Sequence, residues 1–107
     1  MGVQVGDCAF ISAYLHAVRG EPDVVASSFT LSEIGLWLRK RRRLPVRKGK
    51  LRRVVVGLDA NVQLPRCVEG VTGPECYESP STEKWRQAQV EAVLDFCLAE
   101  GLVATNT

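Results

Sequence analysis

A run of valines that ends in two polar side chains limits the folds open to this 107-residue chain. The segment RRVVVGLDAN, residues 52–61, contains three consecutive valines, which favour a short buried strand over a helix. A core strand has no need of a carboxylate and an amide, two residues apart, at its end. Asp59 and Asn61 are therefore either turn-forming residues, a common role for both types, or residues that serve something outside the core.

A second strand is predicted near the N-terminus. Residues 8–15, CAFISAYL, are apolar and partly β-branched or aromatic, which is typical of a short strand. Residues 16–28 contain Gly20 and Pro22, both of which interrupt regular structure, so we predict a connection there.

The segment FTLSEIGLWLRK, residues 29–40, predicts an amphipathic helix. Thr30 and Glu33 have the spacing of a capping box, which places the helix start at Thr30 and its end before Pro45. The predicted inward face consists of Leu31, Ile34, Trp37 and Leu38.

The second half of the chain predicts a long loop, a helix and the start of another strand. Residues 62–80 are rich in proline and glycine, Ser81 is placed to cap a helix, and Gly101 is placed to end it. Residues 102–107, LVATNT, then predict a third strand. The order strand, helix, strand, helix, strand predicts an α/β layered domain, and since the chain ends as its last strand begins, we expect an incomplete fold.

The composition favours one globular unit. Hydrophobic residues make up 46% of the chain and charged residues 24%, and no apolar run approaches the ~20 residues that a membrane-spanning helix needs. The N-terminus lacks the basic and apolar regions of a signal peptide, so we expect an intracellular protein with no membrane partner. Its four cysteines form no CxxC pair, which predicts free thiols, with a Cys67–Cys76 disulfide as the alternative in an oxidising compartment.

One strongly basic segment, residues 39–53, contains ten of the fourteen lysines and arginines and no acidic residue. Such a segment can neutralise phosphates and bind nucleic acid in a salt-dependent way. The alternatives are a solvated helix end or a nuclear-localisation signal, which would place the protein in the nucleus. The candidate nucleic-acid-binding residues are Arg41, Arg42, Arg43, Arg47 and Lys48.

Asp59 and Asn61 could act on one phosphate. In an extended chain, residues i and i+2 point to the same side, roughly 6.5–7 Å apart. A carboxylate can accept a proton or orient a water, and an amide can donate a hydrogen bond to an oxyanion.

The segment VVVGLDAN resembles the strand-end Gly-Asp-x-Asn signature of the endonuclease/exonuclease/phosphatase superfamily, which includes apurinic/apyrimidinic endonucleases and the endonucleases of LINE-type retroelements. The resemblance covers nearly the whole chain, and its C-terminal part is similar to the retroelement branch. The segments that carry it, in order, are FISAYL, FTLSEIGLWLRK, VVVGLDAN, VTGP, VLDFCLAEGLV and ATNT.

The resemblance implies an α/β sandwich that hydrolyses nucleic-acid phosphodiesters, DNA rather than RNA, with Mg2+. It implies that Asp59 orients or deprotonates the attacking water, that Asn61 donates to the scissile phosphate, and that the Tyr14 hydroxyl reaches the same phosphate.

The chain also departs from the family pattern. Leu58 stands between Gly57 and Asp59, and Leu15 and His16 follow the tyrosine where proline is common. The family's metal-binding glutamate strand and its later Asp-His pair have no counterpart, so residues 1–107 are expected to form a partial domain with poor Mg2+ affinity. Two alternatives stay open: an inactive remnant that binds nucleic acid through its basic segment, and a phosphatase acting on small phosphoesters.

Overall fold

The computed structural model describes residues 2–5, 8–42, 53–65, 67–73 and 83–104. The fold is mixed α/β, as predicted. The elements in chain order are β1 (Gly2–Val5), β2 (Cys8–Tyr14), α1 (Glu21–Arg42), β3 (Arg53–Asp59) and α2 (Lys84–Glu100).

The three strands form one sheet in the order β1-β2-β3. β1, which the sequence pattern did not predict, pairs antiparallel with β2, and β2 pairs parallel with β3. A parallel pair needs a long crossover, and α1 lies in the segment between β2 and β3. The two apolar strands predicted from the sequence are thus neighbours in one sheet.

Only one face of this sheet is covered by the helices that the structure describes. Val54 and Val56 pack against the core, whereas Val55 between them is 50% exposed on the opposite face. The valine run is therefore not buried on both sides, contrary to the expectation of a buried strand. Alternate side chains of a strand point to opposite faces, and α1 and α2 lie on the same one.

The core lies between this inner face and the two helices. Leu38 of α1 is fully buried, and Trp37 is partly buried beside it, which fits the predicted inward face. The buried cluster consists of Leu15, Leu31, Ile34, Leu38, Val71, Val93, Phe96 and Cys97.

Helix α1 begins at Glu21 and not at Thr30, so the predicted capping box is wrong. Thr30 lies inside the helix, where its hydroxyl donates to the Ala26 carbonyl at 3.2 Å. Pro22 is compatible with the first turn because the N–H that proline lacks would have no helical partner there. Just before the helix, the Arg19 backbone N–H donates to the Asp23 carboxylate at 2.9 Å. Since Glu21 lies within residues 16–28, the predicted connection contains the start of α1.

Helix α2 is capped by Glu83 rather than by Ser81, which lies outside the described residues. The Glu83 carboxylate accepts from the backbone N–H groups of Trp85 and Arg86, each at 3.1 Å. Gly101 ends the helix with a left-handed φ of 65°, a conformation that favours glycine, and its predicted role is confirmed.

The predicted third strand does not join the sheet within the described residues. Residues 102–104 are not part of a strand, and the Ala104 N–H donates to the Val71 carbonyl at 2.7 Å. Residues 105–107 lie outside the described residues. The edge of β3 that faces away from β2 consequently has no neighbouring strand among residues 2–104 as far as they are described.

Candidate phosphate site

The carboxyl ends of β2 and β3 bring two of the predicted site residues together. Tyr14 and Asp59 are register partners in the parallel pair, and both are exposed on the outer face of the sheet, Tyr14 to 77%. Neighbouring strands lie about 4.8 Å apart, so the two side chains start from adjacent positions. The Leu15 N–H donates to the Asp59 carbonyl at 2.8 Å and extends the pairing by one residue.

Asn61 joins the same site through two hydrogen bonds. Its backbone N–H donates to Asp59 Oδ1 at 3.1 Å, and its side-chain Nδ2 donates to the Leu15 carbonyl. Its φ of 52° is left-handed, which asparagine tolerates better than most residues. Asp59 and Asn61 thus do form a turn, and the amide holds the ends of both strands together. An amide carries two N–H groups, so the second can still donate to a ligand.

Gln89 is a structural component of the site that the sequence patterns did not single out. Its side chain is fully buried, and Nε2 donates to the carbonyls of Ala60 at 2.8 Å and His16 at 3.2 Å. One side chain of α2 therefore holds the loops that follow β2 and β3. The signal was present: Gln89 occupies a core position of α2 in register with Val93 and Phe96.

A groove with a volume of about 980 Å³ runs along the free edge of β3. Asp59, Asn61, Gln63 and Arg86 line it, together with apolar side chains of β3, of α2 and of the segment after Gly101. Arg86 is exposed, and its Nε lies 4.0 Å from Oε2 of Glu83. No pattern in the sequence pointed to Gln63 or Arg86.

The residues of this site do not match the needs of a Mg2+ ion. The part of the chain that the structure describes contains no group of three or more His, Cys, Asp or Glu side chains placed to hold a metal. Asp59 offers one carboxylate, and one of its oxygens already accepts from Asn61. Mg2+ binds one or two carboxylates together with waters and phosphate oxygens, so Asp59 is at most one ligand of such a site.

The candidate nucleic-acid-binding residues fall largely beyond what the structure describes. Arg41 and Arg42 belong to the last turn of α1, whereas Arg43, Arg47 and Lys48 lie outside the described residues. The Arg41 guanidinium lies over the Trp37 ring, 4.9 Å from its centroid.

The structure also describes the surroundings of two other basic residues of the segment, Arg39 and Arg53. Arg39 forms an ion pair of 3.0 Å with the buried Glu100 carboxylate, so its charge is already used within the protein. Arg53 is exposed at the start of β3.

Three cysteines are free thiols: Cys8, Cys67 and Cys97. Burial raises the pKa of the Cys97 thiol above its ordinary value, because desolvation disfavours the thiolate. Cys76, the partner in the alternative disulfide, lies outside the described residues.

Neither described helix is both long enough and apolar enough to cross a membrane. Comparisons of the chain with protein-family models, curated proteins and solved structures find no match.

Proposed function

We propose that this chain is part of an α/β-sandwich phosphodiesterase domain, related to retroelement endonucleases, that binds a nucleic-acid phosphate at the joined ends of β2 and β3. The observation that carries the proposal is the pairing of Tyr14 with Asp59 on one face, with Asn61 tied to both strand ends. The order of strands and helices along the sequence does not by itself bring these three residues together.

Each of the three side chains has a distinct role at a bound phosphate. The Tyr14 hydroxyl donates to a phosphate oxygen, and the second N–H of the Asn61 amide donates to another. Asp59 carries negative charge next to the anionic ligand, so its part is to orient an attacking water or accept its proton and not to bind the phosphate.

The open face of the sheet supports the proposal that residues 1–107 are a partial sandwich domain. Phe10 and Val55 are register partners on this face, and they remain 39% and 50% exposed. In a sandwich, a second sheet packs about 10 Å away and buries such apolar pairs.

We expect the isolated chain to show essentially no cleavage of plasmid DNA in the presence of Mg2+. Hydrolysis of a phosphodiester by this chemistry depends on a metal-activated water and on charge stabilisation at the phosphate. The described residues offer Asp59 as a base but no complete set of metal ligands. Conversion of supercoiled to nicked plasmid, followed on a gel, measures the activity. Robust cleavage that disappears in Asp59→Ala would show that the chain is a complete enzyme and would contradict the partial-domain proposal.

Phosphate binding itself is tested with the dinucleotide thymidylyl-thymidine, which contains one phosphodiester, in an NMR titration of the 15N-labelled chain. Tyr14→Phe should weaken binding about 3- to 10-fold, because it removes one hydrogen bond to a charged group. Asp59→Asn should strengthen binding, because it removes a negative charge beside the phosphate.

Asp95→Asn is the control for net charge, since Asp95 is exposed on α2 and does not line the groove. If Tyr14→Phe binds like the original chain and Asp59→Asn behaves like Asp95→Asn, the phosphate does not lie at the ends of β2 and β3.

A further inference from the structure

The groove beside β3 has a polar end and an apolar wall. Its polar lining residues are Asp59, at the end of β3, together with Asn61, Gln63 and Arg86. Three of these side chains carry N–H donors, and one of the three is a cation. A large part of the remaining lining is apolar, from Val90 and Val93 on α2 to Leu102 and Val103 after it.

Arg86 is available to a ligand. It is exposed, and the oxygens of Glu83 nearby accept hydrogen bonds from the backbone N–H groups at the start of α2. The 4.0 Å separation between Arg86 Nε and Glu83 Oε2 is longer than a hydrogen bond. With Glu83 beyond hydrogen-bond distance, the planar Arg86 guanidinium is suited to bind a phosphate through two parallel hydrogen bonds.

We propose that this groove is a nucleotide-binding subsite, in which Arg86, with the amides of Asn61 and Gln63, binds a phosphate and the apolar wall contacts the adjoining base. The inference rests on the proposed function, because it assigns to the groove the nucleotide next to the phosphate at Tyr14 and Asp59. The groove volume of about 980 Å³ is large enough for such a ligand, since small-molecule sites typically span ~300–1,000 Å³.

The polar end and the apolar wall of the groove together predict the order of affinity of three probes. A nucleoside monophosphate contacts both the polar end and the apolar wall. Inorganic phosphate contacts only the polar end, and an uncharged nucleoside contacts only the apolar wall. We therefore expect thymidine monophosphate to bind more tightly than either inorganic phosphate or thymidine.

The test is an NMR titration of the 15N-labelled full chain with these three probes at low ionic strength. Arg86→Ala should weaken thymidine monophosphate binding about 10-fold or more, because a hydrogen-bonded charge pair with the phosphate is lost. Leu102→Ala should weaken binding of thymidine monophosphate while leaving that of inorganic phosphate unchanged.

Lys84→Ala is the matched control, since it removes one exposed cation from the same helix and Lys84 does not line the groove. Far-UV circular dichroism checks that each variant keeps its helices. If Arg86→Ala and Lys84→Ala weaken binding equally, the effect is one of net charge and the subsite is excluded.

The outcomes also separate this inference from the proposed function. Binding that is sensitive to Tyr14→Phe but unaffected by Arg86→Ala overturns the subsite and leaves the phosphate site standing. Sensitivity to Arg86→Ala but not to Tyr14→Phe supports the subsite and removes the phosphate from Tyr14. If no probe binds, the subsite is also excluded. A dimer seen by light scattering would then indicate that the edge of β3 that faces away from β2 pairs with a second copy of the chain.

Discussion

Replacing Gln89 with alanine is expected to lower the free energy of unfolding by about 2–5 kcal/mol. The side chain is fully buried, so its removal leaves a cavity and deprives the Ala60 and His16 carbonyls of their donor. Urea unfolding followed by circular dichroism measures the change, provided that the transition is two-state.

Two further variants separate the causes of this loss. Gln89→Met keeps most of the volume but donates no hydrogen bond, so its cost should lie between that of alanine and zero. Gln87→Ala changes the same residue type at an exposed position of the same helix and should alter stability by less than about 0.5 kcal/mol. If Gln89→Ala costs no more than Gln87→Ala, Gln89 does not hold the two loops together.

Nucleic-acid binding by the chain is expected to be weak, independent of base sequence and strongly salt-dependent. If about four cations of residues 39–53 contact phosphates, log K should fall with log salt with a slope of about −3 to −4. Replacing Arg41, Arg42 and Arg43 together with alanine should flatten the slope and weaken binding to all sequences alike, because phosphate contacts carry no base information.

The structure shows the environments of two arginines of the basic segment, Arg39 and Arg41. Arg39 is paired with the buried Glu100, so its replacement would confuse binding with stability, and it is left unchanged. Arg41 lies over the Trp37 ring, which holds its guanidinium near the helix surface without neutralising its charge.

Fluorescence anisotropy of a labelled duplex at two salt concentrations measures the slope. The double variant Arg19→Ala, Lys84→Ala removes two cations outside the segment and serves as the control. Binding that does not respond to salt, or equal affinity of the triple variant and the original chain, would show that the segment is solvated and makes no phosphate contacts.

Features that depend on local chemistry could be predicted from the sequence. The strands at residues 8–15 and 53–59 were recognised because β-branched and aromatic residues are concentrated there. Gly101 was recognised as a helix end because only the residues next to it decide whether the chain can take a left-handed φ. The closeness of Asp59 and Asn61 follows in the same way from two residues of separation.

The start of α1 was predicted wrongly because two short sequence patterns indicated different structures. Gly20 and Pro22 suggested a connection, and the Thr30-x-x-Glu33 pattern suggested a cap, yet α1 begins at Glu21. Proline favours the first turn of a helix as much as it interrupts the middle of one, so its neighbours could not tell which role applied. Thr30 does not act as a cap because α1 already runs through it, and the Thr30 hydroxyl instead donates to the Ala26 carbonyl one turn earlier.

The mixed α/β class and the two central strands can be predicted from the amino-acid sequence, because each depends on the conformational preferences of a few adjacent residues. Which residues at the strand ends meet depends instead on long-range pairing and packing. Tyr14 and Asp59 are 45 positions apart and become neighbours through the parallel register of β2 and β3. Gln89 reaches both loops only because α2 packs on the inner face of that pair, and no short-range preference encodes such a long-range contact.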